Sequence, residues 1–547
     1  MDTHLDSLLL RFAHGRRFHG RGLPGQRQVS LVMLAILAGT ALSALAAATP
    51  DSRRDRIAAN PPWLNATVPS AAGASATGVF GPVIQWPSVP IHEVLTPDGR
   101  VMAFGATSTG KQGGQLDFSV WDPALGTGED AFLLLPNTTE VNIFCAGQWL
   151  LPTSGKVLIT GGTLVSGGVR GIGISEVTIF SPKTDTISET TSMTYRRWYA
   201  TTVGTLSGEV VALGGRIDPE ADGQEATYAS TPEVYDPKTR TWRILTGAQN
   251  DAAYGAQSYS WYYPRAWMAP DGNTFIITHD GSTYSLSTAN SGQLTQFDAR
   301  AADENALMPS AMYAPGRIIA VRDANVVNLV DINGATPVIT TTNPINVHRK
   351  YGNGTLLPDG KFFVNGGNSR SENELDGAVL SSEIWNPATG QWTQTASATV
   401  PRLYHSSALL LPDATVLTGG GGLPGPLTNA NAEIYYPPYL YKKNGNPAPR
   451  PAINTEPISL GWDQPFTVKI KNSPKPITRV TFLGTGQVTH AFNNGQRFQE
   501  LPFTITDNQL ELRTPVSRTL TPAGYYLLFA LDADGVPSTG KIIRIND

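Results

Sequence analysis

The chain has 547 residues, with 40 Lys+Arg against 44 Asp+Glu and a formal charge of −4. That length exceeds one ordinary core, so several domains or a large repeat architecture is required, and the lack of a basic field argues against nucleic acid as a partner. Only 15% of residues are charged, while 55 Gly and 41 Pro punctuate short apolar runs, the pattern of many short strands and tight turns with little helix.

The first segment in chain order is a targeting signal. Arg11, Arg16, Arg17, Arg21 and Arg27 precede the charge-free run VSLVMLAILAGTALSALAAA (29–48), which ends in small residues suited to a signal peptidase. Residues 1–48 therefore read as an export signal or as an uncleaved membrane anchor, because about 20 apolar residues also suffice to cross a bilayer. Arg16-Arg17 lies too far from the apolar run to read as a twin-arginine signal. Both readings put the rest of the chain outside the cytoplasm, secreted or held on the outer face of the membrane. Residues 49–80, rich in Ala, Pro, Ser and Gly, read as a linker.

Beyond the linker the chain repeats itself. The unit is an apolar strand, an LPDG-like turn, a second apolar strand ending in Gly-Gly, a variable loop, and an outer strand closing on an aromatic residue and Pro. It recurs from His92 to Pro123, Cys145 to Thr186 and Tyr199 to Trp242, more weakly from Arg265 to Gly281 and Met312 to Asp323, and clearly again from Tyr351 to Trp392 and Tyr404 to Pro438. A period of roughly 45 to 60 residues is that of a kelch β-propeller with four strands to a blade. One blade cannot bury both its faces alone, so the blades must close into a ring. Residues 81–449 are thus expected to form a seven-bladed propeller. After Pro449 the Gly-Gly pattern stops, and alternating runs such as FTVKIK, ITRVTFLG and GYYLLFALD predict an immunoglobulin-like β-sandwich over 450–547. The fold class is all-β, and a monomer is expected.

A propeller alone does not specify chemistry. Three side chains within the repeat stand out. Tyr199 and Tyr404 each lie eight residues before a turn residue (Ser207 and Pro412), and Cys145, the single cysteine, lies seven before Pro152. All three fall at the start of the innermost strand of their blades, at one level on the channel wall. Tyr404 and His405 are neighbours, so both face the axis only if the strand begins with a bulge or irregular turn. A phenol oxygen and an imidazole suit copper, which favours N and O donors. The remaining histidine candidate is His490, in the Gly-rich stretch GTGQVTHAFNNGQRF (484–498), which reads as a loop between strands of the sandwich.

Together, FCAG, RWYAT, RLYHSSALLLPD…GGG and THAFNNGQR, in this order over about residues 80 to 547, make the chain resemble the galactose oxidase and glyoxal oxidase family of copper-radical oxidases. The resemblance implies copper held by Tyr199, Tyr404, His405 and His490, the last delivered into the channel by the C-terminal domain. It implies a thioether between Cys145 and Tyr199 that makes the tyrosine a one-electron store, and Tyr404 as the base that takes the substrate's proton. The reaction implied is oxidation of an aldehyde, as its hydrate, or of a primary alcohol, with O2 reduced to H2O2. Taken alone, Cys145 would read as a small buried hydrophobe.

The chain departs from galactose oxidase just after Gly214-Gly215, where the tryptophan that shields the radical there is replaced by Arg216-Ile217. Trp261, Tyr262 and Trp267 are the candidate shields. With no room for an N-terminal carbohydrate-binding module before residue 80, a small aldehyde or simple alcohol is the expected substrate, and glyoxal oxidase the nearer comparison. The competing class is a non-catalytic extracellular kelch scaffold, which copper content distinguishes. Sequons occur at Asn65, Asn137 and Asn353.

Overall fold

In the computed structural model the described residues are 68–546, apart from 167–168, 222, 305–306, 372 and 455–458. The expected signal or anchor (1–48), the first part of the expected linker and Asn65 lie outside them. No helix among the described residues is long and apolar enough to cross a membrane.

Seven antiparallel sheets follow one another along the chain, at 88–136, 147–190, 201–244, 265–300, 310–341, 353–397 and 406–436. They are blades 1 to 7, and the two weak repeats are blades 4 and 5. Each of blades 1 to 6 is a four-stranded meander whose first strand is innermost. Blade 7 has three strands of its own and borrows its outer edge from the N-terminal side: Val79–Phe80 and Ile84–Gln85 pair with Asn431–Tyr436. An outer edge left bare would expose unpaired backbone, and borrowing covers it.

That borrowing corrects the expected linker. Its last part is folded onto blade 7, with Ala74 buried, the Ala71 N–H donating to Gly445 O at 3.0 Å, and the Tyr435 hydroxyl donating to Thr77 O at 2.8 Å. The sequons at Asn137 and Asn353 are also closed to modification. Both side chains are buried, and their amide groups donate to Gly114 O and Val141 O and to Ser406 Oγ.

The blades are pinned by a repeated buried ion pair. Arg197 meets Glu233, Arg349 meets Glu383 and Arg402 meets Glu433, each pair with both side chains fully buried. Each Glu also accepts two backbone N–H groups from the segment just before the Arg, for example Thr194 and Tyr195 on Glu233 and Thr399 and Val400 on Glu433. A buried charge pair repays its desolvation only when its other hydrogen-bonding sites are filled. Here the filling groups belong to the segment that leads into the inner strand.

The C-terminal sandwich stacks a sheet of Ala452–Ile453, Pro465–Lys471, Gln509–Arg513 and Phe503–Thr506 on one of Ser459–Leu460, Lys541–Ile545, Gly524–Asp532, Ile477–Gly484 and Phe492–Glu500. Val468, Val480, Phe482, Leu510, Leu528 and Ile543 form its own core. The stretch read as a Gly-rich loop is a β-hairpin of Gln487–Thr489 and Phe492–Glu500 that enters the propeller channel. It pairs antiparallel with the inner strand of blade 1 (His92 opposite Thr489) and parallel with that of blade 5 (Ser310 opposite Phe492).

Glu93, on the inner strand of blade 1, is buried, which pushes its carboxyl up from 4.5 to about 8 against the smaller pull of the Ser407 hydroxyl and the Arg402 guanidinium. The folded state therefore keeps a proton that the unfolded chain loses above pH 4.5. Stability contributed by the neutral form falls as pH rises from about 4.5 to about 8 and levels off above that. Glu93→Gln is expected to flatten the stability profile between those limits and to stabilise the protein by roughly a few kcal/mol at pH 8. Urea unfolding of both proteins at pH 5 and pH 8 checks this; equal pH dependence would show that the carboxyl is not held neutral.

Candidate metal centre

Six of the seven blades begin with a residue in the left-handed region: Cys145 (φ 55°), Tyr199 (69°), Tyr263 (45°), Leu307 (63°), Tyr351 (68°) and His405 (67°). Such conformations are rare for residues with a Cβ and cost of order 1 kcal/mol or more each. Links between neighbouring blades hold them there. The Tyr199 N–H donates to Cys145 O and the Tyr263 N–H to Tyr199 O, both at 3.0 Å, and the Tyr351 N–H to Leu307 O at 2.9 Å.

The left-handed residue breaks the alternation of side chains. Tyr404 and His405, adjacent in sequence, stack with ring centroids 3.9 Å apart, which is the irregularity their shared orientation demands. Trp198 and Tyr199 likewise come together, with centroids 4.0 Å apart and rings tilted by 35°.

His490 reaches the same point from the other direction. It and Ala491 form the two-residue tip of the hairpin, with Thr489 opposite Phe492 and both tip residues left-handed (φ 49° and 62°). Such a turn normally carries Asn-Gly. Here the surroundings impose it. Gln487 Oε1 accepts from Leu150 N of blade 2, Asn494 Nδ2 donates to Thr202 O of blade 3, and Gln496 bonds both Leu356 N and Gly354 O of blade 6. Gln487, Asn494 and Gln496 thus supply side-chain amides that complete the inner edges of blades.

All five residues expected at the centre, Cys145, Tyr199, Tyr404, His405 and His490, meet in one buried cluster. Cys145 Sγ lies 3.4 Å from His405 Nε2 and 3.5 Å from His490 Nε2. The two imidazoles stand nearly perpendicular, at 88°. The Tyr199 and Tyr404 hydroxyls are 2.5 Å apart, and the Tyr262 hydroxyl is 2.8 Å from that of Tyr404. His405 Nδ1–H donates to Gly422 O at 2.7 Å and His490 Nδ1 pairs with Thr489 Oγ1 at 2.5 Å, so each ring turns Nε2 inward.

Burial lowers His405 to about 3 and holds His490 well below the usual imidazole range, the latter helped by His405, so both rings are neutral and offer lone pairs. Burial, with Cys145 and Tyr404 nearby, pushes the Tyr199 phenol well above its usual range, and burial does the same to Tyr404. Two imidazole nitrogens and phenol oxygens, with no carboxylate among them, fit copper and do not fit calcium or magnesium, which take carboxylate and carbonyl oxygen.

The candidate shields divide. Tyr262 stands edge-on to Tyr199 at 4.5 Å, and Trp261 lies at 6.0 Å. Trp267 does not belong to the centre: it sits within the inner strand of blade 4, where the pleat turns it against Phe492 and the blade core. The nearest aromatic cover on Tyr199 is Trp198, which the sequence reading missed; the neighbour argument used for Tyr404 and His405 applies to it equally. Tyr263 was also missed. Its ring lies 4.5 Å from that of His490 and its hydroxyl donates to Ala146 O at 3.0 Å, which fixes the imidazole against blade 2.

Residues 450–545 match the galactose oxidase-like early set domain, and residues 197–248 match the kelch motif. The chain is 26% identical over 509 residues to a galactose oxidase of Gibberella zeae, covering 86% of this chain and 70% of that one. It is 27% identical to the aldehyde oxidase GLOX1 of Arabidopsis thaliana, covering 72% and 71%. Among solved structures, a fungal alcohol oxidase of the AA5 family, in complex with copper, matches with a TM-score of 0.75 at 23% identity over 86% of this chain and all of that one, and so shares the fold. These findings bear out the resemblance to the galactose oxidase and aldehyde oxidase group and make oxidase the class of enzyme.

His490→Ala removes one of the two inward Nε2 atoms while leaving the amides that seat the hairpin. Copper bound per chain, measured by metal analysis after dialysis, is expected to fall well below one while the circular dichroism spectrum stays unchanged; full occupancy in the variant would exclude His490 as a ligand.

Proposed function

We propose that the protein is a copper-radical oxidase in which His405, His490, Tyr199 and Tyr404 hold the metal and Tyr199, joined to Cys145 by a thioether, stores one oxidising equivalent. The observation that carries this reading is the convergence of the lone thiol, two phenols and two neutral imidazoles at one buried point. Copper, when bound, supplies the second one-electron acceptor and the reactivity toward O2. Forming the thioether removes one hydrogen from Cys145 Sγ and one from the Tyr199 ring, and O2 takes up both with two electrons as H2O2.

Tyr404 is the group suited to take the substrate's hydroxyl proton. Its oxygen is shared between the Tyr199 and Tyr262 hydroxyls, so a second donor remains when the charge on it changes. A primary alcohol then loses two electrons and two protons to become an aldehyde, or an aldehyde hydrate to become an acid, and O2 becomes H2O2.

Small aldehydes and simple primary alcohols are favoured over sugars. The partly buried aromatic and apolar side chains that pack against the cluster, Tyr228, Tyr259, Tyr351, Leu423 and Ala430, offer contact surface that suits a small substrate. Reconstitution with copper and a screen of aldehydes and alcohols for peroxide release tests the substrate class. Release with galactose alone would overturn the preference, and release with no compound would overturn the reading as an oxidase of these substrates.

Two further outcomes are expected. After copper and O2, the chain should weigh about 2 Da less than its uncrosslinked form, by loss of two hydrogens, with no thiol left to label after denaturation. Cys145→Ser should keep the fold, at a cost of about 1 kcal/mol, and lose most turnover. A free thiol in fully active protein would exclude the thioether. The basic stretch and apolar run over 29–48 support export, so full-length expression in a secreting host should put residues beyond 49 in the medium or within reach of protease on intact cells; a soluble cytoplasmic product would rule this out.

A further inference from the structure

Tyr199 is flanked by two indoles, and one guanidinium lies over both. Arg216 Cζ is 4.5 Å from the ring centroid of Trp198 and 5.5 Å from that of Trp261. Trp198 covers Tyr199 at 4.0 Å and Trp261 lies 6.0 Å from it. Trp261 in turn lies 5.1 Å from Tyr228, which is half-buried at the rim.

The contact is built. Trp198 and Arg216 form an isolated β-bridge, Trp198 N–H donating to Arg216 O at 2.9 Å and Arg216 N–H to Trp198 O at 2.8 Å, which lays the side chains together. Arg216 Nε–H reaches Gly171 O at 3.4 Å. A Cβ at Gly171, where φ is 75°, would come within 2.3 Å of Arg216 Nη2 and 2.7 Å of Trp198 Cζ3, so only glycine lets this loop close over the pair. Arg216 itself is 8% exposed.

We propose that Arg216 is a positioning residue that confines the oxidising equivalent to Tyr199 by making its two indole neighbours harder to oxidise. This rests on the proposed radical chemistry. Oxidised Tyr199 lacks one electron. An electron supplied by Trp198 or Trp261 would refill it and leave that indole a cation. From Trp261 the vacancy can pass on to Tyr228, whose electron restores the indole and whose phenolic proton leaves to water at the rim, where the equivalent is lost. The guanidinium is always charged and acts at short range in a poorly screened interior, so an indole cation beside it is disfavoured. The face of a neutral indole, by contrast, attracts it. Arg216 thereby stabilises the reduced shield and opposes the oxidised one.

The test compares wild type, Arg216→Gln and Arg216→Lys as full-length, copper-loaded proteins whose crosslink is first verified by mass. With no substrate present, the lifetime of the oxidised form is followed by its optical and electron paramagnetic resonance signals, and peptide mass spectrometry then measures oxygen added to Trp198, Trp261 and Tyr228. Arg216→Gln is expected to shorten the lifetime by about tenfold, the scale of one buried cation–π contact, and to raise oxidation at those three residues. Arg216→Lys should recover most of both. Unchanged lifetime and oxidation in a crosslinked, copper-replete Arg216→Gln protein would overturn the role of Arg216 alone. Equal losses in the Gln and Lys variants would also overturn it, since charge would not be the cause. A wild-type protein that is crosslinked and copper-replete but on oxidation shows no radical absorption band and keeps its full copper(II) paramagnetic signal would overturn this inference together with the radical reading it rests on.

Discussion

A propeller leaves the first strand of every blade with one backbone edge facing the axis, and that unpaired edge governs the rest of this structure. Buried N–H and C=O groups must find partners. Here the C-terminal hairpin supplies them. It adds a strand to blades 1 and 5 and offers Gln487, Asn494 and Gln496 side-chain amides to blades 2, 3 and 6. Because the hairpin must fit these edges at fixed register, its tip has one depth in the channel, and His490 is at the tip. Hydrogen bonding in the fold therefore sets the position of an imidazole that no propeller strand carries.

The same demand explains what was legible in the sequence. Blades could be counted because each repeats its own turn and Gly-Gly, local features that need no distant partner. Closure of the ring through Val79–Phe80 left no pattern, since two residues pairing with a strand some 350 positions away look like any linker. The hairpin looked like a loop because its tip, His490-Ala491, has none of the residues that normally form such a turn; tertiary contacts force it. Cys145, Tyr199, Tyr404, His405 and His490 were readable as a set through their motifs, whereas Trp198 was overlooked beside Tyr199 and Tyr263 carried no motif. Both lie beside or at left-handed positions, where the rule that neighbouring side chains point apart fails.

Charge is arranged so that the centre itself stays neutral. The Arg residues two positions before Tyr199, Tyr351 and Tyr404 are cancelled by Glu233, Glu383 and Glu433, and each Glu is filled by backbone donors. The pairs hold the left-handed starts in place without putting net charge beside the phenols. Burial then keeps imidazoles and phenols alike uncharged. A buried site of neutral lone pairs suits a cation and not an anion.

This neutrality bears on how a single cysteine is kept in the chain. A thiol reacts as its thiolate, and burial pushes Cys145 well above its usual range while sealing it from solvent. It cannot pair with another cysteine of the chain, which has 1, and it presents no surface to a second molecule's thiol. His405 Nε2 and His490 Nε2 both face its sulfur, and a cation held by these imidazoles would favour the charged forms of thiol and phenol together. The fold brings Cys145 and Tyr199 together only when blades 2 and 3 and the hairpin are in place, so a bond between them, as proposed above, would mark a molecule whose blades and hairpin have already come together.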